Sequence, residues 1–179
     1  VLNGKTGFTL PGGDVAWAAG VQFRRDGFDS AYSDLNNIMV NPCIDTPVTG
    51  STQCAVRNGP LTFLGTGEEQ DLDRDVWAVF GELHVPITDT IDLQLAIRHE
   101  DYQNVGSTTN PKASLRWQAT PWLAFRGGYS STFRGPPVTS LTNSSVTGLS
   151  FIAGSFRAID FFGNPDLKPE KAKNYNVGV

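Results

Sequence analysis

NPKASLRWQATPWLAFRGGYSSTFRGPP occupies residues 110–137, and its alternation decides how the rest of the chain is read. Ala113, Leu115, Trp117 and Ala119 fall on one side of an extended segment, and Lys112, Ser114, Arg116 and Gln118 on the other. A side-chain period of two is the mark of a β-strand with two unlike faces. Beyond Thr120-Pro121 the alternation resumes, with Leu123, Phe125, Gly127, Tyr129 and Phe133 set against Ala124, Arg126, Gly128, Ser130 and Arg134. Two such segments around a two-residue connection predict a hairpin. After Arg134 the period disappears, so the hairpin has a minimal turn at one end and a long connection at the other.

The same grammar recurs along the chain. Residues 1–9 read as the tail of a strand, and Leu10-Pro-Gly-Gly13 as a tight turn. Val15, Trp17, Ala19, Val21 and Phe23 then alternate with Ala16, Ala18, Gly20, Gln22 and Arg24. Trp77, Val79, Leu83 and Val85 oppose Phe80, Glu82 and His84, and Ile91, Leu93, Leu95 and Ile97 oppose Asp92, Gln94, Ala96 and Arg98. A last strand starts near Lys173, with Tyr175, Val177 and Val179 alternating against Asn174, Asn176 and Gly178. About seven strands result. Short turns at 10–13, 86–90 and 120–121 alternate with longer connections at about 26–71, 105–109 and 134–169, as in an up-and-down meander whose two rims meet different media.

Composition agrees with strands joined by turns. The 179 residues are 39% hydrophobic and only 18% charged, with 19 glycines and 11 prolines. A net charge of -4 argues against a nucleic-acid partner, because phosphate binding needs a basic surface. No apolar run approaches the ~18 residues of a transmembrane helix. Residues 1–9 lack the charged and apolar regions of a signal peptide, which suits a mature or excised chain.

The two faces decide the medium. The apolar sets are aliphatic in mid-strand and aromatic toward the ends, at Trp17, Trp77, Trp117, Phe125, Tyr129 and Phe133, as in a lipid-facing band with interfacial girdles. Glu82, Asp92, Arg98, Arg116 and Arg126 line the opposite face with both signs of charge. Such groups are costly in a dry core and cheap along a wet lumen. A soluble sheet packed on another sheet has the same alternation, but several segments here have ten or more residues. Soluble strands average about five or six, whereas about nine to eleven cross a bilayer at a tilt.

In chain order, Leu10-Pro-Gly-Gly with the strand ending Phe23-Arg-Arg, Gly81-Glu-Leu-His-Val-Pro86, Asn110-Pro-Lys112, Tyr129-Ser-Ser-Thr-Phe-Arg-Gly-Pro136 and Gly163-Asn-Pro-Asp-Leu-Lys-Pro-Glu170 resemble the barrel motifs of TonB-dependent outer-membrane receptors. The resemblance covers nearly the whole chain. It implies an all-β, antiparallel up-and-down transmembrane barrel of 22 strands, of which this chain supplies about seven. It further implies residence in the outer membrane of a Gram-negative bacterium, among lipid, and uptake of a siderophore, vitamin B12, haem or a carbohydrate. The partners implied are the receptor's own plug domain and the TonB complex, neither of whose segments is recognisable in this sequence. No cofactor is implied. A plug-free porin or a structural outer-membrane barrel is the competing expectation.

Candidate site residues follow from position. Arg134, at the strand exit Phe133-Arg-Gly-Pro-Pro137, has the forked donors suited to an anionic or hydroxyl-rich ligand, or to a neighbouring carboxylate. Asn164, Asp166 and Lys168 sit in the Asn-Pro-Asp-Leu-Lys-Pro-Glu run, where they can meet a ligand or shape the entry to the last strand. The lumen charges can guide a solute or pair across strands. Asp71, Asp73, Asp75 and Glu82 mimic calcium-loop spacing, but Val76 stands where the loop needs glycine. His84 and His99 lack partners at zinc spacing, and no nucleophile motif is present, so no enzyme is expected. Cys43 and Cys54 are either free thiols or, once their loop is placed outside the cell, a disulfide.

Overall fold

The computed structural model describes residues 1–61 and 66–179, with the backbone alone at 145–147. Among the described residues nine strands form: β1 (Leu2–Leu10), β2 (Gly13–Ser30), β3 (Gln70–Thr88), β4 (Ile91–Tyr102), β5 (Gly106–Thr120), β6 (Leu123–Arg134), β7 (Ser145–Ile152), β8 (Ser155–Phe162) and β9 (Glu170–Gly178). Seven of them make one sheet in the order β1-β2-β3-β4-β5-β6-β9, and β7 and β8 pair separately as a hairpin. The chain divides into two compact units, treated in turn.

The first unit, Val1–Arg25, Arg74–Pro136 and Lys168–Val179, is a sheet wall. The pairs β1–β2, β3–β4, β4–β5, β5–β6 and β6–β9 are antiparallel, and β4 and β5 align without a break from Ile91↔Trp117 to Tyr102↔Gly106. The register stacks apolar residues in rows across the strands. One row runs Val85, Leu93, Leu115, Gly127, Val177, and the next Leu83, Leu95, Ala113, Tyr129, Tyr175. Leu83, Leu95, Ile97 and Leu115 are all exposed, so among the described residues no layer covers this face. Aromatic rings meet at both ends of the band, Trp117 on Phe125 at 5.6 Å and Trp77 on His99 at 5.5 Å, and Tyr129 meets Tyr175 between them at 5.2 Å.

The opposite face packs more closely. Gly20 leaves room for the Phe80 ring of the neighbouring strand, since a Cβ at Gly20 would lie 2.6 Å from it. Val76 and Ala78 are each 1% exposed, and Tyr102 is buried with them. Pro86, which cannot donate to a ladder, sits where the β3–β4 register shifts, just before the turn.

Strands run further than their apolar alternation. β2 extends to Ser30, β3 begins at Gln70, and Gly106–Thr120 brings residues expected in a loop into β5, leaving a tight connection in which Asn104 takes a positive φ of 63°. One apolar assignment changes. Phe133 leaves the lipid-side set and packs on Tyr102, 5.1 Å between centroids, on the other face. The β5–β6 ladder ends at Lys112↔Ser130, beside Pro111, so from Ser131 onward the β6 backbone ladder continues with β9 and no longer with β5.

The second unit, Asp26–Asp73 with Pro137–Leu167, contains the long connections. Cys43 and Cys54 are bonded, with Cα atoms 5.7 Å apart, beside the single-turn helix α1 (Thr46–Thr49). Thr46 Oγ1 accepts from the Cys43 amide at 2.9 Å and donates to Ser51 O at 2.7 Å, which anchors the bridged loop. The β7–β8 hairpin turns through Ala153 and Gly154, both at positive φ.

Candidate functional site

On the polar face of the wall the charges form a network rather than a scatter. Glu100 is the hub, its side chain 12% exposed. Arg98 Nε donates to its Oε1 at 2.8 Å, Tyr102 Oη to its Oε2 at 3.1 Å, and Arg24 approaches Oε1 at 3.8 Å. Arg24 also donates to Tyr102 Oη at 3.2 Å. Arg74 lies over the Tyr102 ring at 5.1 Å and donates to Pro136 O at 2.7 Å. Three guanidiniums thus surround one carboxylate and one phenol, tying β2, β3, β4 and the exit of β6 together. Neither Arg74 nor Tyr102 is distinguished by sequence reasoning, because the register that joins them spans distant segments.

The expected lumen charges fall on this same face. Arg98 belongs to the network and also donates to Gln22. Asp92 contacts His84 and lies opposite Arg116 in the ladder, while Arg116 lies opposite Arg126 and donates to Gln118 at 2.6 Å. Glu82 is exposed, opposite Ala96. Asp71, Asp73 and Asp75 lie along β3, where extended backbone cannot wrap an ion. Among the described residues no group of three or more His, Cys, Asp or Glu could hold a metal.

The four expected ligand contacts divide between the units. Arg134 is 75% exposed with Glu170 3.8 Å away in the facing strand, and Lys168 opens the last segment of the wall unit. In the loop unit Asn164 Oδ1 accepts from the Asp166 amide at 2.9 Å, and the Asn164 amide donates to Ser140 O at 2.7 Å, contacts that shape the turn.

The loop unit also carries a cavity of about 350 Å³ that is open to solvent on one side. Phe28, Tyr32, Phe161 and Phe162 supply rings, and among the described residues Glu68 is its only carboxylate. Ser30, Thr139, Ser140 and Ser144 add hydroxyls. Its wall is braced: the Gln70 side chain bonds Ser144, the Gln70 amide donates to Ser30 Oγ at 3.2 Å, and Ser144 Oγ shares a 2.6 Å bond with Thr142. Sequence patterning misses this cavity because its lining comes from aperiodic segments.

Long antiparallel strands, an uncovered apolar face with aromatic ends and a charged opposite face define a stretch of outer-membrane β-barrel wall. Residues 2–179 match the family described as TonB dependent receptor-like, beta-barrel, and the chain belongs to that family. It is 31% identical over 165 residues to an iron-regulated outer membrane virulence protein of Vibrio cholerae serotype O1, covering 83% of this chain and 24% of the relative. It is 29% identical over 122 residues to heme/hemopexin utilization protein C of Haemophilus influenzae, covering 62% of this chain and 17% of the relative. Among solved structures, the siderophore receptor PirA from Acinetobacter baumannii superposes with a TM-score of 0.67 at 17% identity, over 98% of this chain and 23% of that one. The chain therefore spans a quarter or less of the length of these relatives. Its place is the cell outer membrane of a Gram-negative bacterium.

Proposed function

We propose that this chain is part of the wall and outer loops of a receptor that imports a scarce solute by TonB-dependent active transport. The solute classes are a siderophore, haem, vitamin B12 or a carbohydrate, and the activity is transport, not catalysis. The observation that carries the reading is the family match over the whole amphipathic sheet, joined to relatives whose names concern siderophores, haem and iron regulation. The full receptor would add a plug domain inside the barrel and a segment engaging the TonB complex. The connections at about 26–71, 105–109 and 134–169 would be extracellular and the short turns periplasmic. In the assembled barrel Glu82, Asp92, Arg98, Arg116 and Arg126 would face the lumen, meeting plug, water or solute. Arg134 and Lys168 would offer donors to a captured solute and Asp166 an acceptor, while Asn164 holds the turn between them.

Uptake of radiolabelled iron complexes by cells expressing the full-length receptor tests this. Uptake should vanish when TonB is deleted or the inner membrane is de-energised. Entry that persists without TonB would instead identify a passive pore.

A further inference from the structure

The two units carry opposite charge. In Asp26–Asp73 and Pro137–Leu167 ten carboxylates face only two basic side chains, Arg57 and Arg157, a formal charge of -8. With the whole chain at -4, the wall unit carries +4. A field of that sign raises the local concentration of cations and repels polyanions before any contact forms. The cavity in the loop unit repeats this preference at short range. Phe28, Tyr32, Phe161 and Phe162 line it together with the carboxylate-bearing Glu68, and no lysine or arginine lines it among the described residues. Aromatic rings beside a carboxylate, within a shell of hydroxyl acceptors, are the chemistry that recognises an organic cation.

We propose that this cavity seats a positively charged group of the imported solute, an ammonium or guanidinium, between the aromatic rings and Glu68. The inference rests on the uptake reading above and specifies its substrate: a solute with a cationic arm, and not a trianionic iron complex. The volume of about 350 Å³ suits such an arm better than a whole iron complex, which would remain in contact with further loops. Bracing of Gln70 and Ser144 means that the pocket is formed before the ligand arrives, which lowers the ordering cost of binding.

The test uses the purified full-length receptor and three probes: a linear ferric trihydroxamate with a terminal ammonium, the same complex acetylated on that amine, and a trianionic ferric tricatecholate. Tryptophan fluorescence titration should give the ammonium form at least about tenfold tighter binding than its acetylated twin. Glu68→Gln should collapse that ratio toward one, and Tyr32→Leu should weaken the ammonium form alone. Equal binding of the twins, tighter binding of the tricatecholate, or binding of none overturns the proposal. Heat-modifiable migration of each variant confirms that the barrel has folded. Uptake of the same probes separates the two readings: TonB-dependent entry of the acetylated or tricatecholate complex leaves the transport function standing while the cation site falls. TonB-independent entry removes both.

Discussion

The guanidinium of Arg74 lies 5.1 Å above the ring of Tyr102, and both residues are only 7% exposed on the charged face of the wall. Arg24 approaches the same ring at 5.4 Å, and Phe133 and Gly135 close around it. Tyr102 therefore serves as an apolar platform and a hydroxyl relay at once. Removing its ring should cost about 3 kcal/mol, the order seen when a large buried aromatic is truncated to alanine. Tyr102→Phe keeps the platform and loses only the bonds to Glu100 and Arg24, so it should cost about 1 kcal/mol. Urea unfolding of the full barrel in detergent micelles checks both. Equal losses for the two variants would mean that the hydroxyl, and not the ring, holds the cluster.

Gly20 and Phe80 make a second close fit. A Cβ at Gly20 would stand 2.6 Å from the Phe80 ring, so Gly20→Val overfills the space by more than the ring can yield in place. The expected loss is about 1–3 kcal/mol, as for other overpacked sites. Phe80→Ala in the same chain should recover much of it, and a double-mutant cycle measures the coupling. Additive effects would show that the two side chains do not share that space.

Where strands have unlike faces, the sequence is sufficient to assign each residue's side. The alternation of Ile91 to Ile97 and of Ala113 to Trp117 reappears in the observed ladder, row by row. That legibility ends where one of its causes ends. Phe133 obeys the alternation in sequence, yet the ladder beside Pro111 has stopped and the ring turns to Tyr102. The β7–β8 hairpin escapes notice for a different reason. Phe151 and Phe156 share one face and Ile152 and Ile159 lie on the other, so neither face is polar, and its Ala153-Gly154 turn lacks the usual Asn-Gly or Asp-Gly signal. The Glu100 cluster and the loop cavity join residues tens of positions apart, and no local pattern encodes such meetings.

The Cys43–Cys54 bridge closes a short loop within the unit of long connections. Replacing both cysteines by serine removes a constraint worth roughly 3 kcal/mol on the chain-entropy estimate, and only from the segment it closes. Limited proteolysis should then cut within residues 43–58 at a rate several-fold higher, while heat-modifiable migration and urea midpoint stay unchanged. Loss of membrane assembly would show that the loop is required for folding the barrel itself.

Ile97 and Arg98 are neighbours on β4 whose side chains separate the two media. Ile97 is 54% exposed on the apolar face, level with Pro111 and Gly81, whereas Arg98 bonds Glu100 and Gln22 on the charged face. If the apolar face meets lipid, Ile97→Arg should cost about 2–4 kcal/mol near mid-bilayer, less toward the headgroups. The cost has nothing to do with packing, because little protein surrounds the residue. The same substitution would be nearly neutral on a water-facing surface, so the variant distinguishes a membrane wall from a soluble sheet. Ile97→Leu is the control, and it should leave stability within about 0.5 kcal/mol, the usual range for an exposed substitution. Refolding of the full-length barrel into phospholipid vesicles, followed through a urea titration, supplies the measurement. An arginine tolerated at residue 97 as well as leucine would place water, not lipid, against this face.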